Sequence, residues 1–334
     1  MKKSLRKFTR GKGMTLLIVV ALVFVFFRIL KREYWSGDNL RGIMYAMSLC
    51  GTITCGMACL MMSGAIDLAS GAEGMMGGVV CAMLLAAGVP WPAAMLMCLI
   101  MGACFGLVNA FLTNFMNFMP FIATMAMASV WQGVGAVISG NATIMITNQS
   151  FWKIGSTNIW IFPLPFVIMV VLLTCYGWMI ANTRFGRQML LCGGNPNAAR
   201  LAGINHKRVT TIMFVNNGVV ASLGGMVLAS RMHNGTVGNV VGSEMDGMVA
   251  AIIGGVSFLG GGSSGMAVLF IGILMLSSFK SGLYIINLNA YWMVCANGVL
   301  LIVALVVDYI RERTRLRALK VAPQPARAKR PNHE

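Results

Sequence analysis

The stretch Gly193–Ile204 reads GGNPNAARLAGI and interrupts a chain that consists otherwise of long apolar runs. Asn195 is a good N-cap residue, because its side chain can accept a hydrogen bond from a free backbone N–H of the first helical turn. Pro196 suits the first helical position, and Gly203 suits the left-handed position that ends a helix. The stretch therefore predicts a very short helix. Because an isolated helix of this length is unstable in water, it must dock on a surface.

The residues of this short helix are small and apolar, which suits a shallow groove. Two docking partners fit the local sequence equally well. One is the membrane domain of the same chain, and the other is a groove on a second protein. The apolar residues of the segment are Ala198, Ala199, Leu201, Ala202 and Ile204.

The rest of the chain is strongly apolar. Of its 334 residues, 57% are hydrophobic and only 10% are charged, whereas roughly a quarter of an average soluble domain is charged. The apolar residues form segments close to the roughly 20 residues that cross a bilayer as a helix. The sequence therefore predicts an all-α, polytopic integral membrane protein. A soluble protein of this length would need a charged shell that this chain lacks.

The basic residues are concentrated outside these apolar segments. The formal net charge is +17, and six basic residues lie in Lys2–Lys12, five in Arg184–Arg208 and eight in Arg311–Arg330. Because cytoplasmic segments of membrane proteins carry an excess of Lys and Arg, we expect both termini and the central loop in the cytoplasm. Orientation and attraction to anionic membrane lipid explain this charge, and we expect no nucleic-acid partner.

This topology requires an even number of spans on each side of the central loop, and about ten apolar segments satisfy it. The weakest is Gly247–Phe258, a short segment expected to be broken or re-entrant, which is tolerated where protein or a cavity surrounds it. Arg28, Lys31 and Arg32 would lie outside, against the charge rule. The candidate segments are Met14–Leu30, Ile43–Met62, Ile66–Val89, Ala93–Leu112, Phe121–Val137, Ile161–Ala181, Val209–Leu228, Gly247–Phe258, Gly265–Leu283 and Ala290–Val307.

These segments define the expected domain organisation. Residues 1–13 form a basic cytoplasmic N-terminus, and residues 14–310 form the transmembrane domain. Residues 183–208 form the cytoplasmic loop of that domain. Residues 311–334 form a basic cytoplasmic tail, which we expect to be disordered.

Motifs for enzymatic chemistry are absent from the sequence. It contains no HExxH, no GxSxG and no Walker A motif, and its nine cysteines include no CxxC pair. We therefore expect no catalytic residue, no cofactor and no metal. Any ATP hydrolysis that drives this protein is expected in a separate subunit.

Polar residues inside the predicted spans are candidates for a translocation pathway. Ionisable groups cost free energy to place in a bilayer, so those found there suggest a function. Asp67 is a candidate, with a helix N-cap or a hydrogen-bond hub as the alternative. The asparagines suit a polar, uncharged solute, with helix-to-helix hydrogen bonding as their alternative. The candidate pathway residues are Asp67, Asn109, Asn114, Asn216 and Asn217.

Four segments, in order along the chain, carry a resemblance to a known family. They are Ser63–Leu68 (SGAIDL), Phe121–Thr124 (FIAT), the loop Thr183–Ile204 with TRFGR and GGNPNAARLAGI, and Glu244–Gly265 with EMDGMVAAIIGG and LGGGSSG. Together they resemble the ribose-type (simple-sugar) ABC importer permeases over about residues 43–307. The chain departs from the family at Ala69–Gly71, where the family has Ser-Val-Gly, and at Ser264, where it has Arg.

The resemblance implies a permease that forms the pathway for a simple sugar or related polar solute in the bacterial plasma (inner) membrane. Its implied partners are an ABC ATPase subunit, an extracytoplasmic sugar-binding protein and a second permease copy, as a homodimer or a heterodimer. An ion-coupled secondary transporter that uses Asp67 and Glu73 is the alternative. In such permeases the short loop helix couples to the ATPase, which implies that role for Asn195, Pro196, Ala198, Ala199, Arg200, Leu201, Gly203 and Ile204.

Overall fold

The computed structural model describes residues 12–257 and 265–321, which are almost entirely helical. The α-helices are α1 (Lys12–Leu30), α2 (Gly37–Met62), α3 (Ser70–Ala86), α4 (Trp91–Ala110), α5 (Pro120–Ser139), α6 (Gln149–Ser156), α7 (Leu164–Asn182), α8 (Arg184–Gly194), α9 (Pro196–Leu201), α10 (His206–Met232), α11 (Ser243–Ile253), α12 (Met266–Ile285) and α13 (Ala290–Val321). A 3₁₀ turn covers Arg32–Trp35, and a π-helical turn covers Phe111–Phe115. The strands are β1 (Ile144–Met145), β2 (Asn158–Ile159), β3 (Phe162–Pro163) and β4 (Asn234–Gly235).

Within the described ranges, eight helices are long and apolar enough to cross a bilayer: α1, α2, α4 with its π-helical extension, α5, α7, α10, α12 and α13. Helix α3 has 17 residues and α11 has 11. At 1.5 Å per residue, α11 is about 16 Å long, roughly half the thickness of the hydrocarbon core. The weak segment expected at Gly247–Phe258 is thus a half-length helix that starts earlier, at Ser243, while Phe258 itself lies outside the described residues.

Helices α2 and α10 form the centre of the bundle. In their apolar windows 78% and 67% of the residues are buried, against 17% in α5 and 11% in α13. The outer helices therefore expose apolar side chains on the outside of the protein, where the hydrocarbon of a bilayer would surround them. The large methionine and cysteine content of α2 packs into this centre, with Met57, Cys55 and Cys59 fully buried.

Close approach of α4 and α10 depends on glycine. A Cβ atom on Gly102 would lie 2.5 Å from the carbonyl oxygen of Gly218, and one on Gly218 would overlap the carbonyl oxygen of Gly102. One turn further along α4, a Cβ atom on Gly106 would overlap the carbonyl oxygen of Phe214. Small residues at this spacing let helix backbones touch. The Gly102–Gly106 pair therefore fixes the distance between these two spans.

The two ends of the bundle are distinct. The end of α2 lies beside the end of α8, since a Cβ atom on Gly64 would lie 3.3 Å from the Cα atom of Gly193. We call this the loop end. At the far end, β1 pairs antiparallel with β4, and the ring of Trp152 stacks on His233 at 4.3 Å between centroids. The hairpin β2–β3 precedes α7.

Both ends of the described chain lie at the loop end. The hydroxyl of Tyr34, just after α1, donates to the carbonyl oxygen of Ser278 near the end of α12 at 2.8 Å, so α1 and α12 run in the same direction. Asn297, near the start of α13, bonds to Asp246 at the start of α11, so α13 runs back toward the loop end. The chain therefore enters and leaves the bundle on the side that carries Gly193.

The tail differs from its expected boundary. Helix α13 continues to Val321, so the helix extends beyond residue 310, where the tail was expected to begin. The sequence RERTRLRALKV explains the extension, because Arg, Leu, Ala, Glu and Lys are strong helix formers. The rest of that tail, residues 322–334, and most of the expected N-terminal segment, residues 1–11, lie outside the described residues.

Candidate functional site

The short helix expected in the central loop is present as α9. It begins at Pro196, and the side-chain oxygen of Asn195 accepts a hydrogen bond from the backbone N–H of Ala198 at 3.0 Å. Gly203 follows it with φ of 74°, the left-handed conformation that favours glycine. The capping residues that the sequence predicts, Asn195 and Gly203, therefore flank the observed helix.

The apolar residues of α9 face two directions. Ala199 is fully buried, and Ile204 is half-buried, and both pack against the chain's own core. In contrast, Leu201 is 91% exposed, and Ala198 and Arg200 are exposed as well. One turn of helix cannot present all its side chains to a single partner. Leu201 is the large apolar side chain that remains free for another protein.

The base of α9 is held firmly between α8 and α10. A Cβ atom on Gly193 would overlap the carbonyl oxygen of Met62, so the end of α8 touches the end of α2 directly. On the other side, Asn205 caps α10 by accepting from the backbone N–H of Arg208 at 3.1 Å. These contacts connect α9, through α8 and the turn at Asn205, to the loop ends of α2 and α10.

A second group of predicted residues meets inside the bundle. The amide nitrogen of Asn109 on α4 donates to Asp67 Oδ1 at 3.2 Å and to Glu73 Oε1 at 3.0 Å. The amide nitrogen of Asn217 on α10 donates to Asp67 Oδ2 at 3.1 Å. All four side chains are 0% exposed. We call Asp67, Glu73, Asn109 and Asn217 the polar cluster.

The polar cluster has the contacts of a hydrogen-bond hub. Asp67 Oδ1 also accepts from the backbone N–H of Ala69 at 2.9 Å, which shapes the entry into α3. Amide donors serve the buried carboxyl groups here, whereas the ion pair found within the described residues, Lys280 with Asp246, lies elsewhere. The cluster ties α3, α4 and α10 together. The cluster is fully buried in this conformation. The assignment of Asp67, Asn109 and Asn217 to the translocation pathway therefore stays a prediction.

The other two predicted pathway residues lie apart from the polar cluster. Asn114, in the π-helical turn, donates to Thr211 Oγ1 at 2.9 Å and accepts from Thr210 Oγ1 at 3.0 Å, near the loop end. Asn216 accepts from the hydroxyl of Tyr176 on α7 at 2.7 Å. The five asparagine and aspartate candidates therefore do not form one surface.

Thr124 belongs to the FIAT segment but is not among the predicted site residues. Its hydroxyl oxygen accepts from the backbone N–H of Leu68 at 3.0 Å and donates to the carbonyl oxygen of Pro120 at 2.8 Å. Thr124 thus fixes the segment that carries Asp67 against the start of α5. The signal for this contact was the shared presence of SGAIDL and FIAT in the resemblance.

The sequence of this chain is similar to known proteins along most of its length. Residues 39–305 match the family model described as "Branched-chain amino acid transport system / permease component". The L-arabinose transport system permease protein AraH of Escherichia coli (strain K12) is 30% identical over 90% of this chain and 91% of its own length.

Two further relatives match over similar lengths. The D-allose transport system permease protein AlsC of the same organism is 29% identical over 87% of this chain and 89% of its own length. The ribose import permease protein RbsC of Bacillus subtilis (strain 168) is 28% identical over 89% of this chain and 92% of its own length. The chain therefore belongs to the family of transport-system permease components that this family model defines.

Proposed function

We propose that this chain is the membrane subunit of a binding-protein-dependent ABC importer and forms the pathway for a simple sugar. The observation that carries the proposal is the match to monosaccharide permeases along about nine-tenths of both chains. The family description names branched-chain amino acids, but the relatives above are named for arabinose, allose and ribose. Membership in this family also supports pairing with a second permease copy.

The distribution of charge supports a cytoplasmic loop end in a bacterial inner membrane. Arg184, Arg187, Arg200, Lys207 and Arg208 all belong to the loop region at this end. Because Lys and Arg accumulate in cytoplasmic segments, the loop end faces the cytoplasm in our proposal. Both described chain ends lie on the same side, which agrees with cytoplasmic termini and with six spans before the loop and four after it.

The proposed mechanism is alternating access driven by a separate ATPase. Closure of the ATPase subunits on ATP displaces α9 through Leu201, which is 91% exposed. The displacement reaches α2 through the contact of Gly193 with Met62, and α10 through the turn at Asn205. The polar cluster then couples α10 to α3 and α4, so the spans move as a unit. This chain supplies the pathway and the helix α9 that receives the movement, and its partner hydrolyses ATP.

Uptake into proteoliposomes tests this proposal. The permease is reconstituted with its ATPase subunit and its binding protein, and labelled L-arabinose, D-ribose, D-allose, D-galactose and L-leucine are offered in turn. We expect ATP-dependent uptake of at least one monosaccharide, no uptake of L-leucine and no uptake with ADP. Uptake of L-leucine alone, or uptake driven by an ion gradient without ATP, would contradict the proposal.

A further inference from the structure

A cavity of about 220 Å³ opens between α2, α10, α11 and α12, outside the polar cluster. Pockets for drug-sized ligands measure roughly 300–1,000 Å³, so this cavity suits a smaller molecule. Its wall combines an aromatic ring, aliphatic groups, an ion pair and hydroxyl groups. Its main lining residues are Tyr45, Leu49, Arg231, Asp246, Ser277 and Lys280.

The cavity lies at the far end of the bundle. Arg231 follows the start of α10 at His206 by almost the whole length of that helix. At 1.5 Å per residue, Arg231 is about 37 Å along the axis from the loop end. In the proposed orientation, this side faces the compartment where a binding protein releases its solute.

The ion pair in the cavity wall retains unused hydrogen-bonding capacity. Lys280 Nζ lies 2.5 Å from Asp246 Oδ2, and the amide nitrogen of Asn297 donates to Asp246 Oδ1 at 2.8 Å. A carboxylate offers about four acceptor positions and an ammonium three donors, so both groups can bind further partners. The two side chains are 29% and 19% exposed, which leaves them accessible. Their charges cancel each other within the pair, and the lining also holds the cation Arg231.

A second wall of the cavity combines a cation with apolar groups. The guanidinium of Arg231 lies over the ring of Tyr45, 3.8 Å from its centroid, which fixes the ring and spreads the positive charge over it. Leu49 extends the same wall. A molecule with several hydroxyl groups and some C–H groups would match both walls.

The hydroxyl of Ser277 points to a missing partner. The residue is 2% exposed and lines the cavity, yet its Oγ has no hydrogen-bond partner in the described part of the chain. A buried polar atom without a partner is unfavourable and rare in proteins. We propose that this cavity is the first solute-binding subsite of the pathway, where Asp246, Lys280 and Ser277 bind the hydroxyl groups of a neutral monosaccharide. This inference rests on the proposed transport function.

A matched pair of serines tests the inference. Ser277 and Ser278 are adjacent on α12, both are buried and both hydroxyls lack a partner among the described residues, but Ser277 alone of the two lines the cavity. The probes are L-arabinose, D-ribose and D-galactose, observed by saturation-transfer NMR with the full-length permease in lipid nanodiscs. We expect wild-type binding of at least one sugar, about fivefold weaker binding in Ser277→Ala from the loss of one hydrogen bond, and unchanged binding in Ser278→Ala.

A second variant removes the carboxylate without changing its size. Asp246→Asn is expected to weaken binding of the same sugar more than about tenfold, because a charge-assisted acceptor is stronger than a neutral one. Equal binding in wild type, Ser277→Ala and Asp246→Asn would overturn the inference. Absence of sugar binding to the wild type would overturn it too, while leaving the proposed transport function intact. Sugar binding without any ATP-driven sugar uptake would instead overturn the transport function.

Discussion

Leu201→Asp is expected to abolish ATP-driven uptake while the permease still folds and inserts. Leu201 is 91% exposed in the isolated chain, so the substitution costs the fold little. In an ATPase groove, the leucine side chain would lose its burial energy of about 2 kcal/mol, and a carboxylate would be desolvated in its place. We therefore expect the ATPase subunit to bind at least about 30-fold more weakly.

The measurement is the amount of ATPase subunit that co-purifies with each permease variant, together with ATP-driven uptake. The matched control is Ile161→Asp, since Ile161 is an exposed aliphatic residue at 63%, on the β2–β3 hairpin that precedes α7. The control is expected to keep the ATPase bound. Normal association and uptake in Leu201→Asp would show that α9 is not the coupling element.

Gly218→Val is expected to prevent folding of the membrane domain. A Cβ atom at this position would overlap the backbone carbonyl of Gly102 and lie 3.0 Å from the backbone nitrogen of Gly106, and backbone atoms cannot move aside as a flexible side chain can. Overpacking a tight contact costs about 1–3 kcal/mol even where side chains can adjust. Separation of α4 from α10 would also prevent Asp67 from keeping its bonds to both Asn109 and Asn217.

Thermal stability and size-exclusion behaviour in detergent measure this effect. Gly133→Val is the matched control, because Gly133 also lies within a helix, α5, and a Cβ atom there meets nothing within 4 Å in this chain. We expect the control to behave as wild type and Gly218→Val to yield aggregated or strongly destabilised protein. Equal stability of the two variants would contradict the observed contact between α4 and α10.

Features with a local physical cause could be predicted from the sequence. The bounds of α9 follow from Asn195, Pro196 and Gly203, because capping depends on neighbours within one turn. The full-length spans follow from apolar length alone. The sequence also predicts that Gly247–Phe258 is short and either broken or re-entrant, and α11, with 11 residues, is a short helix in this region.

Features that join distant parts of the chain could not be predicted in this way. Asp67 and Asn217 are 150 residues apart in sequence, and their contact depends on how α10 packs against α3. The Gly102–Gly106 spacing gave no usable signal, since a chain with 39 glycines contains such pairs by chance. The far-end cavity draws Tyr45, Arg231 and Lys280 from three separate helices. The sequence also does not show which way each side chain of α9 points, so it does not predict the burial of Ala199.

Site-specific photo-crosslinking tests whether α9 binds the ATPase subunit through Leu201. A benzophenone amino acid is placed at position 201 or at position 160 of the permease, in membranes that contain the ATPase subunit. Leu201 and Trp160 are similarly exposed, at 91% and 94%, but Leu201 lies on α9 and Trp160 at the tip of the β2–β3 hairpin. We expect an adduct with the ATPase subunit from position 201 and none from position 160. An adduct from position 160, or none from position 201 in an actively transporting complex, would contradict this expectation.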